Sequence, residues 1–337
     1  MCRCDLSLLL FFILLPSSPT YEYEFEYPEM DDTTISKIKA ALGSKTLEAT
    51  GRKASGCINQ GEAFRTDRGL VFIKSSNAPV AKVLFESEFS SLKAIEQTGT
   101  IRVPHPITIV EGSDNTFYCV LEFLDLRNTA IHQKELGEKL ADMHLHNEKV
   151  AKKGGPVAYV KQFGFAHTTC VGLLPLDNTW HDDWPTFYSK RLQTPIDLIV
   201  KEKGNTEVLT LWNELRPIIP RFFENITIKP SLLHGDLWRG NFGELESGPV
   251  IFDPGCLYGH HELELSQTTL FGGFTRSFYD AYHERIPKVI GYQAREQLYQ
   301  LFHLLNHWHH FGGGYKDQSL NTMRTLIKTK FPLEKSL

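Results

Sequence analysis

The segment from Ser231 to Phe252 constrains the fold of this chain most strongly. It holds two apolar runs on either side of a glycine-rich turn. Its polar residues follow the pattern His-x-Asp-x-x-x-x-Asn, which includes Asp236 and Asn241, and the second apolar run ends in Asp253. Three polar residues at these spacings arise by chance in a chain of this length with a likelihood on the order of 1%. The pattern therefore indicates a site.

The spacing of these oxygen-bearing side chains is suited to phosphoryl transfer. Asp236, at the start of the loop, can accept the proton of an attacking hydroxyl. Asn241, five residues later, and Asp253, after the next strand, can share a Mg²⁺ ion that bridges nucleotide phosphates. Phosphoryl transfer depends on positioning and on charge neutralisation, and these three groups supply both.

The first third of the chain offers matching partners for such a site. Lys74 ends the apolar strand VFIK, where a kinase places the lysine that holds the α- and β-phosphates. Glu88, on the following predicted helix, can pair with Lys74. A charged residue at either position alone is more often simply solvated. Here four features occur in the order found in kinases, namely Lys74, Glu88, the loop with Asp236 and Asn241, and Asp253. Together they favour a kinase-like phosphotransferase. The backbone from Glu122 to Leu124 lies where a connector between two lobes would bind adenine.

A loop with three glycines, Gly51, Gly56 and Gly61, precedes this strand and contains Cys57. It is neither GxGxxG nor a Walker A loop, since no GK[ST] follows, but its position suggests backbone amides that cover phosphates. The same amides would stabilise a thiolate at Cys57. Cys57 is therefore a redox candidate whose oxidation, for example to an intersubunit disulfide, would lower activity. The alternative is an incidental small residue.

The periodicity of apolar residues predicts an α+β fold with two lobes. Helical spacing is present over 35–49 and 80–98, a hairpin pattern over 63–74, and a strand pair over 107–121. These elements predict a small β-rich N-lobe over 35–124. The later helical patterns cover 136–147, 184–203, 208–223 and 294–310. They predict a larger helical C-lobe over 125–337, with a cleft between the lobes.

Composition excludes several other classes of protein. Lysines and arginines number 36 against 40 acidic residues, so no overall basic field is available for nucleic acid, and we expect no nucleic-acid partner. The 12% aromatic content and 23% charged content argue against disorder. The four cysteines beyond residue 20 are widely spaced, which predicts neither a CxxC metal site nor a disulfide framework.

The N-terminus carries the run LSLLLFFILL at 6–15. Ten such residues are too few to cross a bilayer, which needs about 20. The run resembles the apolar region of a secretory signal, although Asp5 cancels Arg3 in the segment before it. Residues 1–20 are therefore either a signal peptide or an upstream extension. The acidic stretch at 21–34 is predicted to be a solvated tether.

The segment after Asp253 narrows the class of acceptor. Neither a long activation segment nor an A-P-E motif follows, and helix-like sequence resumes after Gly259. A platform for docking peptides is not evident. We therefore expect the acceptor to be a hydroxyl of a small molecule or of a group attached to a side chain.

With these motifs, the chain resembles the fructosamine/ketosamine-3-kinases, relatives of the aminoglycoside phosphotransferases with a protein-kinase-like fold. The likeness runs from about residue 35 to the C-terminus, through strings such as LLHGDLWRGN, VIFDP, YGHHELELSQTTLFGGF and LYQLFHLLNHWHHFGGGY. It implies ATP- and Mg²⁺-dependent phosphorylation of O3 of a ribulosamine or fructosamine, on glycated proteins or free. The 3-phosphate makes the adduct labile, so the amine is restored and the protein is deglycated and repaired.

The resemblance also implies roles for residues. Asp236 is the base, Asn241 and Asp253 bind Mg²⁺, and Lys74 and Glu88 serve ATP. Family members usually work in the cytoplasm, whereas the N-terminal apolar run leaves secretory entry open. We expect either a monomer or a redox-dependent homodimer.

Three residues are candidates for binding the acceptor. Trp238 adjoins the base, Arg239 stands where the family usually has a small residue, and Trp308 on the last predicted long helix could stack on a sugar face. Two other functions remain open: a kinase for an aminoglycoside- or choline-like acceptor, and a non-catalytic module that recognises glycated proteins. The intact set of kinase residues argues against the second.

Overall fold

A computed structural model describes residues 30–55, 60–113, 115–127, 130–153 and 159–333. The N-lobe is a five-stranded antiparallel sheet with two helices, and the strand order is β1-β2-β3-β5-β4. In chain order its elements are α1 (Asp32–Leu42), β1 (Glu48–Ser55), β2 (Gln60–Thr66), β3 (Gly69–Ser76), α2 (Ala81–Thr98), β4 (Pro106–Glu111) and β5 (Phe117–Glu122).

The C-lobe is mainly helical. Its helices are α3 (Gln133–Lys153), α4 (Trp184–Lys203), α5 (Glu207–Leu215), α6 (Glu262–Phe271), α7 (Arg276–Arg285), α8 (Tyr292–Phe311) and α9 (Lys316–Ile327). Three short antiparallel strand pairs complete it: β6 (Thr169–Val171) with β7 (Leu174–Leu176), β8 (Ser231–Leu233) with β11 (Leu257–Gly259), and β9 (Phe242–Leu245) with β10 (Gly248–Ile251). The predicted α+β, two-lobed fold is confirmed.

Three predictions for the first part of the chain were wrong in part. The stretch from Gly51 to Gly61 was predicted to be a loop, but its two ends belong to the paired strands β1 and β2. Helix α1 ends at Leu42 instead of residue 49, because Gly43 adopts a left-handed φ of 58° and caps it. The same helix begins at Asp32, within the predicted tether, because the Asp31 side chain accepts the Thr34 N–H at 2.6 Å.

One C-lobe helix is interrupted. The predicted helix over 208–223 becomes α5 followed by a 3₁₀ segment, Arg216–Phe223. Pro217 and Pro220 lie in that segment, and a proline removes the N–H that an α-helix needs. The prediction for Trp184–Lys203 matches α4 at both ends.

Apolar packing joins the two lobes. The C-lobe has its own core, built mainly by α4, α5, α8 and α9. A second core contains Phe85 and Leu92 of α2 together with Leu136 and Leu140 of α3. Helix α2 therefore packs against both lobes. Among the described residues, no helix is long and apolar enough to span a membrane.

Candidate active site

A cleft of about 630 Å³ lies between the lobes. Residues of both lobes line it, and they include most of the site residues predicted from the sequence: Gly61, Lys74, Glu88, Glu122, Leu124, Asp236, Trp238, Asn241 and Asp253. The fold therefore brings together side chains as far apart in the chain as Lys74 and Asp253, which are separated by 179 residues.

Lys74 lies at the centre of the charged part of the cleft. Strand β3 carries it between β2 and β5, and its Nζ lies 2.6 Å from Oε1 of Glu88 on α2. The same ammonium group donates to Oδ1 of Asp253. Burial alone would lower the pKa of Lys74, but the carboxylates of Asp253 and Glu88 outweigh it and raise that pKa. The lysine is therefore held as a cation.

The loop with the predicted base is anchored by a buried carboxylate. Glu264 of α6 accepts the backbone N–H groups of His234 at 2.5 Å and of Gly235 at 3.1 Å. Gly235 has a φ of 82°, and a Cβ there would lie 2.2 Å from the carbonyl oxygen of Gly255. Only glycine fits this position. The loop is thus fixed both by hydrogen bonds and by close backbone packing.

Asp236 is oriented by two amide side chains. Gln267 Nε2 donates to its Oδ1 at 2.5 Å, and Asn241 Nδ2 donates to its backbone carbonyl at 2.8 Å and to its Oδ2 at 3.3 Å. Burial raises the pKa of Asp236 to about 7, with the negative charges of Asp253 and Glu264 acting in the same direction against the lowering effect of the amide donors. A carboxyl group of this acidity suits a general base at neutral pH.

Asp253 stands in a strained backbone position. It follows β10 and has a φ of 60°, which non-glycine residues seldom adopt. The preceding carbonyl, that of Phe252, accepts the Nε2–H of His234 at 2.9 Å. The Asp253 side chain is 43% exposed and lines the cleft. Such strain tends to occur at functional sites, where the surrounding structure holds it.

The connector after β5 lines the other side of the cleft. The Glu122 side chain accepts from Arg102 at 2.5 Å and from the backbone N–H of His105 at 3.0 Å, so it fastens the connector to the N-lobe. Leu124 and Phe123 line the cleft beside it.

The three candidate acceptor-binding residues differ in whether they line the cleft. Trp238 is half-buried and lines the cleft. The Arg239 guanidinium packs over the ring of Phe242, 4.7 Å from its centroid, and Arg239 does not appear among the cleft-lining residues of the described chain. Trp308 is 2% exposed and belongs to the C-lobe core, so the fold does not bring its ring to the cleft. Gly56 and Cys57 lie outside the described residues.

Sequence reasoning missed Gln267 and Glu264, which hold Asp236 and its loop. Both lie on α6, about 30 residues after the loop, inside a string of mixed polar and apolar residues. No local pattern marks them, because their role arises only where α6 packs beside the loop. Their full burial is the one unusual property for residues of these types.

Comparison with known proteins extends the likeness seen in the motifs. The model of the fructosamine kinase family matches residues 30–329. The mouse ketosamine-3-kinase is 47% identical over 305 residues, which cover 86% of this chain and 99% of that protein. The chloroplastic protein-ribulosamine 3-kinase of Arabidopsis thaliana is 38% identical over 280 residues, with 82% of each chain covered.

Solved structures show the same architecture. A Thermobifida fusca structure, provisionally assigned as a fructosamine-3-kinase, is 26% identical with a TM-score of 0.70, and the match covers 88% of this chain and 99% of that one. The aminoglycoside phosphotransferase APH(4)-Ia, in a ternary complex with ADP and hygromycin B, is 12% identical with a TM-score of 0.55 and coverage of 88% and 98%. At that identity the likeness concerns the fold alone.

Proposed function

This chain belongs to the fructosamine kinase family, and from that premise we propose that it transfers the γ-phosphate of ATP to the O3 hydroxyl of ketosamines. The acceptors are ribulosamines or fructosamines, on lysines of glycated proteins or free. The observation that carries the proposal is the meeting of Lys74, Glu88, Asp236, Asn241 and Asp253 in one cleft. The 3-phosphate makes the sugar adduct labile, so the reaction leads to deglycation and repair of the protein.

Asp236 is the general base of the transfer. Its carboxylate accepts the proton of the O3 hydroxyl as the bond from O3 to the γ-phosphorus forms. The bond between the γ-phosphorus and the β,γ-bridging oxygen breaks, and ADP leaves with that electron pair. The hydrogen bonds from Gln267 and Asn241 hold the carboxylate in place for this step.

Lys74 and Glu88 serve the nucleotide. The buried ammonium group of Lys74 can contact the α- and β-phosphates, and the 2.6 Å ion pair with Glu88 sets its position. The connector backbone at Glu122 and Leu124 provides the donors and acceptors for adenine. Gly61, with Gly56 and Cys57 of the preceding segment, supplies amides over the phosphates.

Asn241 and Asp253 fit a magnesium site. Amide and carboxylate oxygens are the ligands that Mg²⁺ prefers, and both side chains line the same cleft. Asn241 donates to Asp236 through Nδ2, an orientation that presents its Oδ1 as the ligand atom. A bound Mg²⁺ would neutralise phosphate charge during the transfer.

The acceptor side of the cleft suits a small hydroxyl compound or a sugar on a protein surface. After Asp253 the chain runs through β11 directly into α6, which leaves no room in the sequence for a peptide-binding activation segment. We place Trp238 against the sugar, because it lines the cleft two residues after the base. Arg239 influences acceptor preference indirectly, through its position next to Trp238.

A coupled assay for ADP formation tests the function. Ribulose-lysine and fructose-lysine are compared with aminoglycosides and choline as acceptors. We expect turnover of at least one ketosamine and no turnover of aminoglycosides or choline. Turnover of an aminoglycoside or choline alone would favour another small-molecule kinase, and binding of glycated protein without any turnover would favour a non-catalytic module.

Compartment and assembly belong to the same proposal. We place the enzyme in the cytoplasm, as a monomer or as a homodimer that depends on oxidation of Cys57. The N-terminal apolar run would direct export instead if it acts as a signal. Sequencing the N-terminus of the mature chain from a tagged full-length protein distinguishes the two.

A further inference from the structure

Helix α2 carries Glu88 toward Lys74 and packs against both lobes. Phe85 and Leu92 pack in the core shared with α3. The position of Glu88 therefore depends on how firmly this helix is held against the C-lobe. Two serines of α2 form hydrogen bonds that hold it against the C-lobe.

Ser87 and Ser91 both accept backbone N–H groups of the C-lobe. The Cys170 N–H donates to Ser87 Oγ and the Cys256 N–H donates to Ser91 Oγ, each at 2.9 Å. The two serines are 1% and 0% exposed. A separation of four residues places them one helical turn apart on the same face, on either side of Glu88 along the chain.

The two C-lobe partners belong to segments of the active site. Cys170 lies in β6 and lines the cleft. Cys256 follows Asp253 by three residues, and the intervening Gly255 donates its N–H to the carbonyl of His234 at 2.9 Å. Ser91 therefore links the helix that carries Glu88 to the segment that carries Asp253.

We propose that Ser87 and Ser91 are positioning residues that clamp α2 to the C-lobe and thereby keep the Lys74–Glu88 pair and Asp253 in register. Any displacement of α2 would leave two buried N–H groups without partners, which is unfavourable. The nucleotide site is consequently preformed. Neither the binding of a ligand nor a covalent modification is needed to move α2 into place. The inference rests on the proposed function, because it assigns Lys74 and Glu88 to ATP.

The test compares three serine-to-alanine variants of one helix. Ser87→Ala and Ser91→Ala remove the clamp. Ser90→Ala is the matched control, because within the described part of the chain the Ser90 hydroxyl donates to carbonyls of α2 itself, those of Glu86 at 2.7 Å and Ser87 at 3.0 Å. We expect kcat/KM for ATP to fall about tenfold in each clamp variant and to stay within about twofold in the control. The KM for ketosamine should stay within about twofold in all three.

A double substitution separates positioning from general loss of structure. If Ser91 acts through Glu88, then Glu88→Gln/Ser91→Ala should be no slower than Glu88→Gln alone. Additive losses, or clamp variants that behave as the Ser90 control does, would overturn the proposal. If Ser91→Ala does not fold, the same comparison is made with Ser87→Ala, alone and combined with Glu88→Gln.

Binding of Mg-ADP distinguishes the failure of this proposal from the failure of the proposed function. Absence of ketosamine turnover in the wild-type chain counts against the function only. Calorimetric affinity for Mg-ADP still tests the clamp in that case. Weaker binding in both clamp variants than in Ser90→Ala supports it, and equal binding in all three refutes it.

Discussion

Replacing Glu264 with glutamine should slow catalysis in addition to lowering stability. The Glu264 side chain is fully buried, and its two oxygens accept the N–H groups of His234 and Gly235. Burial would raise the pKa of Glu264, but the nearby His144 and His234 side chains and the backbone N–H of His234 outweigh burial and lower it. The group is therefore an anion, and its hydrogen bonds are charge-assisted.

The magnitude follows from these two bonds. A hydrogen bond to a charged group contributes about 1.5–3 kcal/mol, against about 0.5–1.5 kcal/mol for a neutral one. A glutamine keeps the shape of the side chain but has only one acceptor oxygen, so one N–H is left without its partner. We expect Glu264→Gln to lower the free energy of unfolding by about 2–4 kcal/mol. Urea denaturation measures this change.

The kinetic effect should exceed tenfold in kcat, because Gly235 directly precedes Asp236 and a small displacement of the base misaligns proton transfer; about 1.4 kcal/mol of lost alignment already gives that factor. Glu244→Gln is the matched control. Glu244 is also buried, and it accepts the backbone N–H groups of Ile131 at 3.1 Å and His132 at 2.8 Å. It should lose similar stability with kcat almost unchanged. Equal kcat values for the two variants would refute the reasoning.

Four further predictions concern the proposed roles of individual residues. Asp236→Asn should abolish turnover while Mg-ATP binding persists in calorimetry, and normal turnover would remove Asp236 as the base. Trp238→Ala should raise the KM for ketosamine, whereas Trp308→Ala should lower the free energy of unfolding by about 3–5 kcal/mol and leave that KM unchanged. A raised KM in Trp308→Ala, or an unchanged KM in Trp238→Ala, would contradict the placement of these residues. Chelation with EDTA should stop turnover and added Mg²⁺ should restore it, and activity that persists in EDTA would argue against Asn241 and Asp253 as ligands. Cys57→Ala should remove the peroxide sensitivity of activity, and unchanged sensitivity would end the redox hypothesis.

Local patterns predicted the elements that carry Lys74 and Glu88. The hairpin pattern over 63–74 and the helical spacing of α2 place Lys74 and Glu88 on the observed strand and helix. These predictions succeeded because side-chain periodicity depends only on residues two to four positions apart. The kinase-type loop was recognised for the same reason, since its residues are close in sequence.

Predictions that depended on reading glycine and proline were less accurate. Glycines at 51 and 61 suggested a loop, yet both lie in strands of the N-lobe sheet. Gly61 is paired with both neighbouring strands, and Gly51 has a φ of 73° in an irregular part of β1. Conversely, Pro217 and Pro220 ended the α-helical geometry that apolar spacing alone predicted over 208–223. Apolar spacing and glycine content are local signals, and neither includes the hydrogen bonds that a distant strand supplies.

The sequence by itself determined the chemistry of this protein: which oxygen-bearing and cationic groups are present, in which order, and on which kind of element. Only the tertiary structure decided which atoms meet. Lys74 contacts Asp253 across 179 residues of chain, Gln267 reaches the base from a helix without a motif, and Trp308 is withdrawn into the C-lobe core. The physical reason is that spacing and periodicity report on neighbours along the chain. Contacts between lobes and between distant helices follow instead from how buried surfaces pack together.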